Sequence, residues 1–87
     1  MARYEVRFKR SVAKDLRSLP KQDVKRILSR IDEIAENPRG TGTNKLTGKE
    51  LYRARQGAYR IIYEIADDVL IVQIIRIAHR STVYRLH

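Results

Sequence analysis

The chain has 87 residues, which is enough for one small domain and too few for two separate hydrophobic cores. Nineteen Lys and Arg residues against ten Asp and Glu give a formal net charge of +9, and 43% of the residues are hydrophobic. This composition excludes a disordered basic tail and indicates a folded domain that attracts polyanions, such as nucleic acid or acidic protein surfaces.

The sequence predicts neither a membrane segment nor a metal site. The longest apolar stretch, residues 69–77, contains Gln73 and Arg76 and is too short to span a bilayer. The N-terminus has no continuous apolar signal segment, so we expect a cytosolic protein. There is no Cys, and His79 and His87 are too few for an ordinary structural zinc site, so we expect no metal or other cofactor.

The first half of the chain predicts one strand followed by two helices. Apolar and charged residues alternate over residues 2–9, which is the period of a half-buried strand. Ser11 can cap a short helix that ends near Pro20, and a second, amphipathic helix continues as far as Ala35. The Gly and Thr content of residues 39–43 indicates a surface loop.

The second half predicts three strands joined by short turns. Its segments rich in aromatic and β-branched residues are 51–56, 59–65 and 69–77. A strand, two helices and three strands in this order indicate an α+β fold. We expect one antiparallel sheet with a two-helix hairpin packed on one face.

Two of these strands place basic side chains close together. Arg53 and Arg55 are two residues apart on one strand and therefore share a face. If a loop over residues 56–59 closes the hairpin, Arg60 lies directly opposite Arg55 and three guanidinium groups converge. Like charges opposite each other destabilise a sheet, and a bound anion would explain them. In the alternative register Arg55 stacks beside Tyr59 and no ligand is implied.

A second cluster follows the last predicted strand and contains His79, Arg80, Tyr84 and Arg85. Cleavage of RNA by its own 2′-hydroxyl needs a proton acceptor, cations for the phosphate and a donor for the leaving oxygen, and these residue types could supply all three. Taken singly, His79 could be a loop residue without a role and Tyr84 an apolar lid on the sheet edge.

Several short segments match one known family in order and spacing. They are Lys14-Asp15-Leu16, Leu19-Pro20, Asn44 to Gly48, Leu51 to Arg55, Tyr59 to Tyr63, His79-Arg80 and Val83-Tyr84. On these segments the chain resembles, over nearly its whole length, the RelE family of bacterial and archaeal toxin–antitoxin systems. The resemblance implies a single domain over residues 1–87 with helices packed on a sheet.

The resemblance also implies a function. RelE-like toxins are endoribonucleases that cut mRNA in the ribosomal A site, without a metal, by attack of the 2′-hydroxyl on the adjacent phosphate. The implied partners are a cognate RelB-like antitoxin, the ribosome and mRNA. The expected catalytic residues are Arg55, Arg60, Arg80, Tyr84 and His79. The expected RNA- and phosphate-binding residues are Arg53, Lys45, Lys49, Arg76 and Arg85.

One departure from the family pattern affects the choice of general base. The best-known members have Lys where this chain has Arg53 and Arg55, and Arg does not lose its proton near neutral pH. The base is therefore expected to be Tyr84 or His79, because surrounding guanidinium groups would lower the pKa of a phenol. Only three residues follow Tyr84, where some relatives have a final helix, so no such lid is expected.

Two other functions remain open at the level of sequence. ParE-type toxins share the fold and poison DNA gyrase without cutting RNA, but they generally lack an aligned Arg80 and Tyr84 together with an arginine pair on a strand. A noncatalytic RNA-binding module would expose aromatic side chains for base stacking. Here Tyr52, Tyr59 and Tyr63 are at positions where they can pack in the hydrophobic core. We therefore rank the gyrase inhibitor and the RNA-binding module below the ribonuclease.

Overall fold

A computed structural model describes residues 3–46, 48 and 50–79. Its elements in chain order are β1 (Glu5–Phe8), α1 (Arg10–Arg17), α2 (Lys21–Glu36), β2 (Thr43–Lys45), β3 (Tyr52–Gln56), β4 (Tyr59–Ala66) and β5 (Ile71–His79). The strands form one sheet in the order β1-β5-β4-β3-β2. Both helices precede the remaining strands in the chain, as the sequence pattern predicts, but four strands follow them where the sequence predicted three.

The sheet is mixed rather than wholly antiparallel. Strands β2 to β5 pair antiparallel, as expected for consecutive hairpins. Strand β1 pairs parallel with β5, with Glu5 opposite Ile71 and Phe8 opposite Ile74. The expectation of an entirely antiparallel sheet was wrong for β1, because this strand reaches the sheet through the helical crossover and not through a hairpin. The predicted α+β architecture is confirmed.

The helix boundaries differ from the prediction in one respect. We expected Ser11 to cap the first helix, but Lys9 occupies the cap position and provides no side-chain hydrogen bond. Pro20 precedes α2 and occupies its N-cap position with an extended backbone. Proline has no backbone N–H, but no helical hydrogen bond requires one at this position. The chain therefore turns between the helices at the predicted Leu19-Pro20 step.

The hydrophobic core lies between the helices and one face of the sheet. Its buried members are Val12, Ile27, Ile31, Ile34, Ala54, Ile61, Tyr63, Val72, Ile74 and Ile77. Tyr63 is fully buried, and its hydroxyl donates to the Pro38 carbonyl oxygen at 2.6 Å. Burial raises the pKa of this phenol. The helices thus cover one face of the sheet and leave the other uncovered by either of them.

A short segment that starts at the last residue of the expected surface loop forms the edge strand β2. Its three residues have no apolar period, and for that reason the sequence did not predict it. Strand β2 pairs with β3, so that Asn44 lies opposite Arg53 and Lys45 lies opposite Tyr52. The addition makes β3 an interior strand of the sheet.

An ion pair ties the segment after α2 to the turn between β4 and β5. The Arg39 guanidinium donates to both Asp67 carboxylate oxygens, at 2.9 and 2.8 Å, and to the Tyr52 hydroxyl at 3.2 Å. The Tyr4 hydroxyl donates to the same carboxylate at 2.7 Å. Arg39 and Tyr4 together lower the pKa of Asp67 to about 2. Asp67 thereby joins parts of the chain that are distant in sequence.

Within the described part of the chain, no helix is both long and apolar enough to cross a membrane. The described residues also include no cluster of three or more His, Cys, Asp or Glu side chains placed to hold a metal ion.

Candidate nucleic-acid interface

The hairpin between β3 and β4 sets the positions of the predicted arginines. Gln56 pairs with Tyr59, so Gly57 and Ala58 form a two-residue turn, and Gly57 has the positive φ of 59° that such turns favour at this position. The next pair along the hairpin is Arg55 with Arg60. The predicted register is therefore confirmed, and the alternative that pairs Arg55 with Tyr59 is wrong.

Four arginines lie on one face of the sheet, in two adjacent rows that run across the strands. Arg55 and Arg60 form one row, which ends on Ala78 of β5. In the other row Ile62 lies between Arg53 of β3 and Arg76 of β5. Residues directly opposite each other share a face, and neighbouring strands are about 5 Å apart, so Arg53 and Arg76 begin about 10 Å apart. We call these four residues, Arg53, Arg55, Arg60 and Arg76, the arginine face.

Ile62 lies at the centre of the arginine face and is fully buried. Neither α1 nor α2 covers this side of the sheet, and the residues beside Ile62 across the strands are Arg53 and Arg76. Arginine stems can lie over apolar surface while their charged ends stay in water. We therefore infer that the aliphatic stems of Arg53 and Arg76 pack on the Ile62 side chain and that this contact positions their guanidinium groups.

Two donors of the arginine face are buried without an acceptor. The Nε atoms of Arg53 and Arg60 have no hydrogen-bond partner in the described part of the chain. A buried unsatisfied donor costs about 1 to 3 kcal/mol, and the Arg55–Arg60 pairing adds like-charge repulsion. An anion with several oxygens, such as a phosphate group, would accept from these donors and neutralise the charge.

His79 lies on the opposite side of the sheet from the arginine face. It pairs with Tyr59 across β4 and β5, and the two rings meet edge to face with centroids 5.5 Å apart. The Tyr59 hydroxyl donates to the Asp23 carboxylate of α2 at 3.0 Å, which marks this as the helix-covered side. The hydrogen bond to Asp23 raises the pKa of Tyr59. The structure therefore separates His79 from Arg55 and Arg60.

Lys45 also lies away from the arginine face. Its pairing with Tyr52 places it on the helix side of the sheet, and its Nζ lies 3.4 Å from the Glu50 carboxylate. Asn44, its neighbour, lies beside Arg53 instead. Asn44 was missed because β2 itself was not predicted. The remaining predicted residues lie outside the described part of the chain: Lys49, Arg80, Tyr84 and Arg85.

Comparison with known proteins identifies the family. A family model described as the ParE toxin of type II toxin–antitoxin systems matches residues 6–84. The toxin RelG of Mycobacterium tuberculosis is 37% identical, over 94% of this chain and 97% of RelG. This chain belongs to the RelE family of type II toxins. The resemblance predicted from the sequence segments is thereby confirmed.

Two solved RelE-family structures share the fold. The RelE–RelB complex of Pyrococcus horikoshii superposes with a TM-score of 0.81 at 32% identity, over 94% of this chain and all of that chain. The RelBE2 toxin–antitoxin complex of M. tuberculosis gives a TM-score of 0.82 at 28% identity, over 91% of this chain and all of the other. The mixed sheet and the helix pair are therefore those of a RelE toxin.

The three tyrosines of the described strands β3 and β4 in this RelE-family chain lie on the helix side. Tyr52 and Tyr63 stack with centroids 5.8 Å apart, and Tyr59 bonds to α2 through Asp23. On the described strands, the arginine face presents guanidinium groups and no aromatic ring. This arrangement suits a phosphate backbone better than stacked bases, and it disfavours the noncatalytic module that reads bases by stacking.

Proposed function

We propose that the chain is a ribosome-dependent endoribonuclease that cuts mRNA in the A site. The observation that carries this proposal is the arginine face, on which four arginines share one side of the sheet and the Nε donors of two of them are buried without an acceptor among the described residues. A cleaved phosphodiester develops negative charge on its oxygens, and fixed cations stabilise that charge.

The proposed reaction is transfer of the phosphate to the neighbouring ribose oxygen. The 2′-oxygen attacks phosphorus, the bond to the 5′-oxygen breaks, and a 2′,3′-cyclic phosphate and a 5′-hydroxyl are formed. A base must take the 2′-hydroxyl proton, and an acid must protonate the leaving 5′-oxygen. Arg55 and Arg60, with Arg80, are assigned to the phosphate oxygens, and Arg53 and Arg76 to binding of the adjacent backbone.

Tyr84 is assigned as the base, with His79 as the alternative. The arginines keep their protons near neutral pH and leave only these two candidates among the predicted catalytic residues. His79 lies on the helix side of the sheet, opposite the arginine face, and its position there disfavours it as the base. Lys49 and Arg85 are assigned to RNA binding.

The decisive experiment adds the purified chain to ribosomes programmed with a defined mRNA. We expect new 5′ ends within the A-site codon. The same mRNA without ribosomes is the control for cleavage of free RNA. Intact mRNA on ribosomes that bind the protein would contradict the assignment of an endoribonuclease.

The proposed regulator is a cognate RelB-like antitoxin. The P. horikoshii and M. tuberculosis neighbours were solved as complexes with their antitoxins. An acidic antitoxin segment would neutralise the arginine face, and an amphipathic one would pack on exposed apolar side chains beside α2. Two such side chains, Leu28 of α2 and Phe8 of β1, line one groove. Co-expression with the neighbouring gene should give a stable complex, whereas the toxin alone should arrest growth.

Inhibition of DNA gyrase is the second candidate function. It is favoured by the family model that matches residues 6–84, whose description names a ParE toxin. A supercoiling assay with purified gyrase tests it directly. Loss of supercoiling at toxin concentrations that leave ribosome-bound mRNA intact would favour this function over RNA cleavage.

A further inference from the structure

The side of the sheet that carries the arginine face continues beyond it, and there the residues are no longer basic. Tyr63 is buried in the core, so Glu64, which follows it on β4, points to the side of the arginine face. Glu64 pairs with Gln73 of β5, whose neighbours Val72 and Ile74 are also core residues. Both side chains are exposed. We call these two residues the Glu64–Gln73 pair.

A β-bulge on β5 brings Gln73 and Arg76 to the same side of the sheet. Residues three apart on a regular strand point to opposite sides. Between two consecutive residues of β4, however, the partner on β5 changes from Arg76 to Ile74, which skips Ile75. The skipped residue reverses the alternation, and bulges that redirect side chains in this way are frequent beside functional sites. The bulge therefore places the Glu64–Gln73 pair next to the arginine face.

The Glu64 carboxylate is left without a partner in a strongly basic chain. The chain has ten Asp and Glu residues, and all of them lie in the described part. Eight form an ion pair or accept a hydrogen bond. Among the described residues, only Glu64 and Asp68 do neither. Asp68 lies in the turn after β4, whereas Glu64 shares a side of the sheet with four arginines and is open to a ligand there.

Binding of phosphate does not account for Glu64. Along β4 it is two residues from Ile62, or about 7 Å, so its charge repels a phosphate held on the arginine face. The cation next in its row does not offset this charge, because Arg7, which pairs with Gln73, is held by Glu5 at 2.6 Å. A surface that bound only phosphate would favour a neutral or basic residue at position 64.

The Glu64–Gln73 pair matches the Watson–Crick edge of guanine. A carboxylate only accepts hydrogen bonds, and its two oxygens can accept from two adjacent donors. Guanine has two adjacent donors on this edge, N1–H and N2–H, beside the acceptor O6, to which the Gln73 amide can donate. Adenine, cytosine and uracil each have one donor group on the same edge. Proteins commonly read unpaired RNA bases by this edge.

One nucleotide can contact both parts of this side of the sheet. The ribose joins the base to its phosphate, so a phosphate bound by Arg53 and Arg76 leaves the base free to reach the next row. In an A site without tRNA the Watson–Crick edges of the codon are unpaired. On the basis of the ribosome-dependent function above, we propose that Glu64 and Gln73 read a guanine of the A-site codon. The arginine face then positions the backbone, and the Glu64–Gln73 pair specifies the base.

Replacing guanosine by inosine tests this contact from the side of the RNA. Inosine keeps O6 and N1–H but lacks the N2 amino group. Ribosomes are programmed with mRNAs that have guanosine, inosine or adenosine at each position of the A-site codon in turn, and kcat/KM for cleavage by the whole chain is measured. Binding is measured in parallel on ribosomes with 2′-deoxy codons, which cannot be cut by 2′-hydroxyl attack.

Three variants and a matched control test the contact from the side of the protein. The variants are Glu64→Gln, Glu64→Ala and Gln73→Ala. The control is Asp68→Asn, which removes the other carboxylate that has no partner among the described residues. All these side chains are exposed, so each protein should melt close to the parent's temperature.

For the parent, we expect inosine at one codon position to lower kcat/KM by roughly tenfold, which is within the range for loss of a specific base contact. Both Glu64 variants should cut the guanosine codon as slowly as the parent cuts the inosine codon, and inosine should change their rates little. Gln73→Ala should narrow the difference between guanosine and adenosine codons. Asp68→Asn should keep the parent's preference.

Three results would overturn this role for Glu64. They are equal cleavage of guanosine and inosine codons by the parent at every position, an equal change at all codons in the Glu64 variants, and weakened antitoxin binding by those variants with an unchanged guanosine preference. The second result would reduce Glu64 to a general charge effect, and the third would assign it to a protein partner.

The binding measurement separates this role from the proposed cleavage. If the parent binds 2′-deoxy codons with a preference for guanosine but leaves ribonucleotide codons intact, the reading of guanine stands and the ribonuclease assignment fails. A parent that does not bind programmed ribosomes at all would contradict both.

Discussion

Arg55 and Arg60 face each other directly across β3 and β4, on a side of the sheet that neither helix covers. Two cations in this position repel, and a favourable cross-strand pair there would instead contribute about 0.2 to 1 kcal/mol. The arrangement therefore costs stability in the free protein and gains it when an anion binds between the two strands. The predictions below separate these two effects.

Replacing Arg55 by Ala should weaken cleavage and leave the fold intact, because the side chain is exposed and makes no core contact. Relief of repulsion from Arg60 should keep or raise the melting temperature. Arg55→Lys should restore RNA binding better than turnover, because Lys lacks the planar fork that grips phosphate. Cleavage rates and thermal melts of the three proteins check this. Parental cleavage by Arg55→Ala would mean that the arginine face does not act on the phosphate.

Ile62 and Ile61 offer a matched pair of core substitutions. They are adjacent on β4 and both are fully buried, but they face opposite sides of the sheet. Ile→Val at either site should destabilise the fold by about 0.5 to 1.5 kcal/mol. Only Ile62→Val should also slow cleavage, by roughly severalfold, because misplacing a charged group near the reacting phosphate lowers the rate. Equal cleavage by the two variants would show that Ile62 does not position the arginines.

Tyr84→Phe tests the proposed base by removing only the hydroxyl. We expect cleavage to fall by about 10² to 10⁴, the range for loss of a general acid or base, while ribosome binding persists. Arg80→Ala should lose turnover as well, because that side chain is assigned to the scissile phosphate. His79→Ala is the contrasting variant and should cleave nearly normally. A large loss with His79→Ala and a small one with Tyr84→Phe would reverse the two roles.

Asp67 should make the fold sensitive to acid. Its pKa is held near 2 by Arg39 and Tyr4, below the ordinary value of 3.8, so folding favours its ionised form. The stabilisation is present above about pH 4 and is lost as the pH falls through 2. The melting temperature of Asp67→Asn should be lower than the parent's at pH 5 and should converge with it near pH 2. Asp68→Asn, which removes the adjacent carboxylate, is the control and should follow the parent throughout.

The sequence predicted those elements whose period or turn chemistry is local. The aromatic and β-branched content of β4 and the three- and four-residue spacing of α2 predicted these elements, and the turn at Gly57 was sufficient to pair Arg55 with Arg60 correctly. The parallel pairing of β1 was not predictable in this way, because the sequence of its four residues does not indicate which edge of the sheet the strand joins. Pairings of this kind depend on the tertiary arrangement of the helices.

Two of the predicted site residues lie away from the arginine face for a similar reason. A sequence cluster placed His79 with the basic residues, but strand alternation puts it on the helix side next to Tyr59. The basic character of Lys45 suggested RNA binding, but the unpredicted pairing of β2 turned it toward Tyr52 and brought Asn44 beside Arg53. In both cases the residue type suggested a role at the site, but the sequence did not indicate on which side of the sheet the residue lies.

The parallel pairing of β1 with β5 also determines when the toxin can finish folding. Strand β1 is synthesised first, yet the strand it pairs with is the last one described, with Glu5 opposite Ile71. During translation, the backbone groups of β1 that pair with β5 stay unpaired until β5 has emerged. Strand β5 also carries Arg76 of the arginine face. A nascent chain therefore lacks both this strand pairing and part of its anion site until β5 has been synthesised.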